Sequence, residues 1–352
     1  MEGDTFMVVL GIDAHKRTHT VVAVDEAGRQ LGVRVTKATS TAAHLDLVVW
    51  ADQFGADRRW AVEDCRHLSR RLEADLLAAG EVIVRVPPKL MAHCRDSART
   101  YGKSDPIDAL AVARAALREP DLPAARLDGP ERELRLLADH REDLVAERTR
   151  MINRLRWHLH ELDPSWDPAP RSLARSKNLE AVCSRLAGMD GLVARLAADL
   201  AGRIAALTAD VNALQREIAV LVRQLAPSLL ALPGAAELTA AKIVGQTADV
   251  RRFRSKDAYA RHNGTAPLPA WSGNHTRHRL SRTGNRQLNC AIHRIAVTQI
   301  RCHPPAQAYL KARIAAGDTK TEALRALKRR LSDTVYRALL ADGTTIPVTR
   351  AA

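Results

Sequence analysis

No stretch of this 352-residue chain approaches the roughly 20 uninterrupted apolar residues that a membrane-spanning helix needs. Its start, MEGDTFMVVLGID, lacks the basic flank and small-residue cleavage site of a secretory signal. Both absences point to a soluble, cytoplasmic protein with no membrane partner. Cysteine is scarce as well: Cys65, Cys94, Cys183, Cys290 and Cys302 are scattered and odd in number, which argues against a disulfide framework and fits a reducing compartment. Cys290, His293, Cys302 and His303 could be drawn as a zinc site, but their spacing matches no usual zinc module, and ordinary helix packing is the better reading. Internal repeats and low-complexity tails are also missing.

What is present in excess is positive charge. A formal net charge of +14, with an isoelectric point near 10.1, favours a polyanionic partner through phosphate neutralisation and counterion release. Nucleic acid leads, and a merely basic soluble protein from an Ala- and Arg-rich proteome is the bland alternative. The length suits two or three domains, with function expected between them.

Residues 7–13, MVVLGID, form an apolar, β-branched run ending in an acid. HTVVAVDEAG (His19–Gly28) reads as a second strand closing on a turn, and QLGVRVT as a third. Short connections predict an antiparallel meander. Ala42–Phe54 has helical spacing, RWAVED (Arg59–Asp64) is a fourth strand, and RHLSRRLEADLLAAG and EVIVRVPP add a helix and a strand. This order predicts an RNase H-like mixed sheet covered by helices, an α/β domain over residues 1–125. An actin-like ATPase would begin in the same way, but no later Gly-rich phosphate loop follows.

From about residue 130 helical periodicity takes over, over Arg132–Leu162 and, after a Pro-rich break at Asp163–Arg171, over Leu179–Leu225. Leu200, Ile204, Leu207, Val211, Leu214, Ile218, Leu221 and Leu225 alternate spacings of four and three, a heptad seam. Ile152, Leu155, Leu159 and Leu162 offer a partner stripe, so an intramolecular hairpin and an intermolecular coiled coil both remain open for an all-α region over 126–228. After Pro227 come a helix-turn-helix segment, LPGAAELTAAKIVGQ, a loop rich in Gly, Pro and Arg from His262 to Arg286, and further helices. These form a small, mainly helical domain over 229–352.

Asp13 ends the first strand and Glu63 the fourth, so two acids from different strands meet at one sheet edge. Asp105 and Asp108, in YGKSDPIDALAVARAA, lie three apart at a helix start and share a face. Capping explains the second pair too: Asp105 as N-cap, Pro106 at the first helical position and Asp108 as the acid of a capping box. Taken together, an Asp-Glu-Asp-Asp set suits a hard divalent ion such as Mg²⁺ or Mn²⁺, and two-metal phosphoryl transfer with ions about 4 Å apart.

GIDAHK, AVEDC and KSDPIDALAVA resemble the motifs of the DEDD transposases of the insertion-sequence 110 family, whose N-terminal domain is RuvC-like. The segment from Leu232 to Asn289 is similar to the family's second domain, with its Pro-Gly helical segment, Gly-X-X-Pro turn, Ser-Gly pair and basic Gly-Asn stretch. The likeness covers nearly the whole chain apart from the connecting helices. It implies that Ser272 is the nucleophile, assisted by metal at Asp13, Glu63, Asp105 and Asp108. It also implies donor and target DNA, a guiding bridge RNA, a homodimer or homotetramer, and association with the bacterial nucleoid. The family pattern often carries an arginine near the position of Asn289, for which Arg286 and Arg294 are candidate substitutes.

On chemistry alone Ser272 in WSGN is a turn serine. Arg277, Arg279, Arg282 and Arg286, with His275 and His278, surround it in sequence with nucleic-acid-binding donors. The competing readings are a RuvC-like nuclease that uses water and leaves Ser272 structural, and a purely architectural nucleic-acid binder.

Overall fold

A computed structural model describes residues 7–63, 66–88, 90–91, 94, 104–119, 122, 124–125, 129–272, 275–279 and 284–345, with backbone alone for 66–67, 270–272, 275–277, 279 and 344–345. The chain divides into two compact units, Met1–Asp128 with Arg251–Ala258, and Gly129–Val250 with Tyr259–Ala352.

The first unit is built on a five-stranded sheet. Strands β1 (Val8–Ala14), β2 (Thr18–Val24) and β3 (Gln30–Lys37) form the expected antiparallel meander. Strands β4 (Arg58–Glu63) and β5 (Ile83–Val86) add parallel to β1, giving the order β3-β2-β1-β4-β5 of an RNase H-like sheet. Alternate residues of β1, β2 and β4 feed two cores. Leu10, Ile12, Val21, Trp60 and Val62 pack under α1 (Thr41–Asp52) and α2 (Arg66–Ala78). Val9, Val22 and Ala61 pack under α3 (Asp105–Arg118) on the other face. Burial on both faces is why β1 reads as a continuous apolar run and not as an alternation.

Gly11 sets the crossing of α3 over β1. A Cβ there would lie 2.2 Å from the Ala109 carbonyl oxygen and 2.5 Å from the Ala113 nitrogen, so helix backbone rests directly on the strand. The Ala-rich face of α3 completes this approach, two residues before Asp13.

In the second unit α4 (Pro130–Leu162) and α6 (Leu192–Leu225) pair along their lengths as an antiparallel hairpin, with Arg141 bonded to Gln215 and Arg148 to Thr208. The helical run foreseen from Leu179 is two helices, because α5 (Ser176–Leu186) ends before Gly191, whose φ of 105° is one that side chains rarely adopt. The seam also differs from the leucine heptad. Ile204, Val211 and Ile218 are buried as expected, but Ala201, Thr208 and Val222 fill the alternate positions, while Leu200, Leu207, Leu214 and Leu221 are half-buried beside them. Small side chains let the helices approach more closely than paired leucines would. Leu155 and Leu159 of the partner stripe are fully buried, with Ile152 and Leu162 packed against the same cluster.

Helices α7 (Pro227–Leu230) and α8 (Glu237–Thr247) follow, α8 buried along nearly its whole length. After α9 (Lys256–His262) the loop contains a hairpin that helical periodicity did not reveal, β6 (Leu268–Ser272) with β7 (His275–Arg279). Helices α10 (Arg286–Cys302), α11 (Pro304–Ala315) and α12 (Lys320–Thr345) complete the unit. Among the described residues no helix is long and apolar enough to cross a membrane.

Candidate active site

Asp13 lies at the end of β1 opposite Thr20, and Glu63 at the end of the neighbouring β4. Asp105 and Asp108 come from the first turns of α3, the helix that Gly11 admits onto the sheet. Their carboxylates act on one another: burial first, and then Asp108, Asp105 and Glu63, raise the Asp13 pKa to about 6, with His15 alone opposing. Asp13 is 6% exposed, and its Oδ2 is buried with no hydrogen-bond partner among the described residues.

The capping explanation for the second pair shifts by one residue. Ser104 is the N-cap, Asp105 the first helical residue and Pro106 the second. Asp105 therefore does not cap the helix, and Asp108 falls one place beyond the acidic position of a capping box. Asp108 is buried at 7% exposure, whereas the Asp105 side chain is half-exposed.

His15, which the motif reading passed over, stands between the acids. Its Nδ1 is 3.6 Å from Asp13 Oδ2 and its Nε2 3.8 Å from Asp105 Oδ1. Donor atoms of Asp13, His15 and Asp105 all lie within 4.8 Å of one another, the one such cluster among the described residues. The sequence signal was its spacing: residues two apart in extended chain point to the same side, so His15 continues the line of Asp13. Cys290, His293, Cys302 and His303 form no comparable group among the described residues.

In the second unit Ser272 is the last residue of β6, opposite His275, the first residue of β7. Arg277 and Arg279 lie on β7; the side chains of Ser272, Arg277 and Arg279 fall outside the description, and Arg282 lies outside the described residues. The two ends of the loop are latched together. The Asn285 N–H donates to the His262 carbonyl at 2.6 Å, and a Cβ on Gly284 would lie 2.3 Å from the Gly264 nitrogen, so only glycine fits. Asn285 Oδ1 then caps α10 by accepting from Gln287 and Leu288, which leaves Arg286 exposed at the first helical position.

A family model described as Transposase, for the DEDD transposases of IS110, matches residues 10–164. A second, described as Transposase IS116/IS110/IS902 family, matches residues 226–311. The chain belongs to the IS110 family of transposases.

This transposase is similar to the 44.8 kDa protein of insertion element IS116 from Streptomyces clavuligerus, at 29% identity over 94% of both chains. The 42 kDa protein of IS900 from Mycobacterium paratuberculosis is also 29% identical over 94% of each. The 43.6 kDa protein of IS110 from Streptomyces coelicolor is 27% identical over 76% of this chain and 77% of its own. Among solved structures, T. thermophilus RuvC in complex with a Holliday junction substrate aligns at 16% identity and a TM-score of 0.27, over 34% of this chain and 99% of its own.

Membership makes the chain an enzyme acting on DNA, and the transposase places its acids accordingly. Buried beside Asp108, Asp105 and Glu63, Asp13 gains from a cation placed against it. The oxygen-rich donor set, with one orphaned carboxylate oxygen, fits a hard divalent cation. Bound there, such an ion would neutralise the acids and draw a phosphodiester towards them.

Proposed function

We propose that this transposase cuts and rejoins DNA by transesterification, with Ser272 as the nucleophile and Mg²⁺ or Mn²⁺ held by Asp13, Glu63, Asp105 and Asp108. The observation that carries the proposal is the buried Oδ2 of Asp13, which accepts no hydrogen bond among the described residues and converges with donor atoms of His15 and Asp105. The ion supplies Lewis-acid stabilisation of charge on the reacting phosphate.

The protein's own groups do the rest. Ser272 Oγ attacks phosphorus, a bond from phosphorus to a deoxyribose oxygen breaks, and the serine proton passes to the departing strand as its new hydroxyl. The phosphoserine conserves the bond energy. A strand hydroxyl then attacks the same phosphorus and returns the proton to Ser272, so no nucleotide cofactor is consumed. Arg277, Arg279, Arg282 and Arg286 hold the flanking phosphates. The net charge of +14 supports simultaneous contact with DNA and a bridge RNA. A homodimer or homotetramer would supply the copies needed to act on several strands.

The test is covalent trapping. Purified protein is incubated with candidate DNA junctions, Mg²⁺ and RNA from the flanks of its element, and a protein–DNA adduct is sought. The adduct is expected with the wild type and lost in Ser272→Ala and in Asp13→Ala. Metal-dependent cutting without an adduct, unchanged in Ser272→Ala, would mean water is the nucleophile and would remove Ser272 from the mechanism.

A further inference from the structure

Lys328, on α12, is 8% exposed, and its Nζ donates to Asn289 Oδ1 of α10 at 2.6 Å. Among the described residues no carboxylate is within ion-pair distance of it, which is unusual for a buried ammonium. Asn289 in turn donates through Nδ2 to the Asn263 carbonyl at 2.9 Å, and the Asn263 amide donates to Ser332 Oγ at 2.8 Å. Lys328 is thus fixed to the turn on which the serine loop closes. Arg286 precedes Asn289 by three residues on α10, and Arg325 precedes Lys328 by three on α12, so each exposed guanidinium lies one turn from the Asn289–Lys328 bond.

These cations crowd one another. Burial, then Arg325 and Arg286, push the Lys328 pKa below the usual lysine value, opposed by Cys290. On the α10 side carboxylates are missing from the sequence, for between Asp257 and Asp318 the chain contains no Asp or Glu, whereas α12 itself carries Glu322 and Asp333, the latter paired with Arg329. Lys328 is thus a buried ammonium whose hydrogen-bond partner is a neutral amide, and a phosphate oxygen is the kind of counter-charge it would accept.

We propose that Lys328, Arg325 and Arg286 form a phosphate-binding cradle that grips the backbone of nucleic acid beside the serine loop. Lys328 and Arg325 lie beyond residues 226–311, the span of the second family match. Lys328 is the fixed point charge, held in place by Asn289, and the two arginines are the mobile donors that close on the strand. The inference rests on the nucleic-acid reading above. It adds a contact that the loop arginines do not supply, from a helix remote in sequence.

The experiment measures affinity against salt for the full chain, by fluorescence anisotropy, with a labelled DNA duplex and separately with a labelled single-stranded RNA. Each lost phosphate contact lowers the slope of log K against log salt by about 0.9 for duplex DNA and about 0.7 for a single strand. Arg325→Ala, Arg286→Ala and Lys328→Gln are each expected to lower the slope by about that amount and to weaken binding by about threefold to tenfold near 0.1 M salt. Lys328→Arg should retain most of the slope. Loss with the duplex alone assigns the cradle to DNA, loss with RNA alone to RNA, and loss with both to a shared backbone contact. If Lys328→Gln does not fold, the exposed Arg325→Ala still decides. Unchanged slopes in folded Arg325→Ala and Arg286→Ala, with wild-type binding intact, would overturn the cradle alone. A wild type that bound neither probe would overturn the nucleic-acid reading with it.

Discussion

The end of the first unit's sheet and the stretch from Asp257 to Asp318 are electrostatic opposites, and each is incomplete in the same way. At the sheet end Asp13, Glu63, Asp105 and Asp108 crowd together with half-exposed His15 beside Asp13. In the other stretch arginines and histidines accumulate with no Asp or Glu between its two ends. The missing counter-charges differ in shape. Donor atoms of Asp13, His15 and Asp105 converge within 4.8 Å, the scale of a single ion's coordination shell. The basic groups are spread over a hairpin and two helices, the scale of a polymer. Each region therefore names its partner by the geometry of what it lacks.

The strongest way to break the comparison is Asp13→Asn. Strand cutting should fall by about 10²–10³-fold, because several kcal/mol of charge stabilisation depends on the held ion. The same variant should melt higher than wild type without metal, since a buried charge among like charges is removed. Calorimetry in chelator checks this, and a lower Tm would show that Asp13 is held by structural bonds and not reserved for a ligand. Gly11→Val tests the scaffold beneath. Its new Cβ would meet the Ala109 carbonyl 2.2 Å away, a backbone atom that cannot yield without moving α3. A loss of about 3 kcal/mol is expected by chemical denaturation, together with loss of the Tm rise on adding Mn²⁺. Retention of that rise would mean that the acids converge without the close helix crossing.

How much of this was legible in sequence follows from what periodicity can carry. The strands were readable because burial on both faces leaves continuous β-branched runs, and Asp13 and Glu63 were readable as acids ending such runs. The cap on α3 was not. Ser104 and Asp105 are both good caps and Pro106 suits either of the first two helical places, so the local sequence does not choose between them. The hairpin seam misled because leucines dominate a hydrophobic pattern, whereas Ala201 and Thr208 are buried and the leucines beside them only half-buried. Lys328 escaped because nothing local marks a lysine whose partner, Asn289, lies 39 residues away.

His19 gives a control on the opposite face of the same sheet. It is fully buried, neither ring nitrogen has a partner among the described residues, and burial, then His44 and His15, lower its pKa to about 4 from 6.5. A base whose folded pKa is depressed contributes stability that is present above about 6.5 and lost as pH falls towards 4. Asp13 has the reverse sign: its folded pKa of about 6 means stability present below the ordinary carboxyl value and lost as pH rises through 6. Melting Asp13→Asn from about pH 7 to pH 4.5 should therefore isolate the His19 limb as a loss on the order of 2 kcal/mol, absent when His19→Leu is added. Added Mn²⁺ should leave that limb untouched. A metal-sensitive His19 limb would show that the two faces share one ligand.

The smallest expected effect belongs to His15→Gln, and it sharpens the acidic side most. His15 is half-exposed, and its contacts with Asp13 and Asp105 are longer than hydrogen bonds, so its charge is worth roughly 0.5 kcal/mol. It is nonetheless the group that opposes the upward shift at Asp13. Removing it raises the Asp13 pKa further, and protons then compete better with the ion. Mn²⁺ binding, followed by electron paramagnetic resonance, should weaken about twofold to threefold near pH 6 and by less near pH 8, well above the Asp13 pKa of about 6. Equal weakening at both values would instead identify the imidazole as a direct ligand, lost at every pH. Tighter binding at both would show that His15 repels the ion, and the acids would then be better described as a centre that His15 guards until DNA arrives.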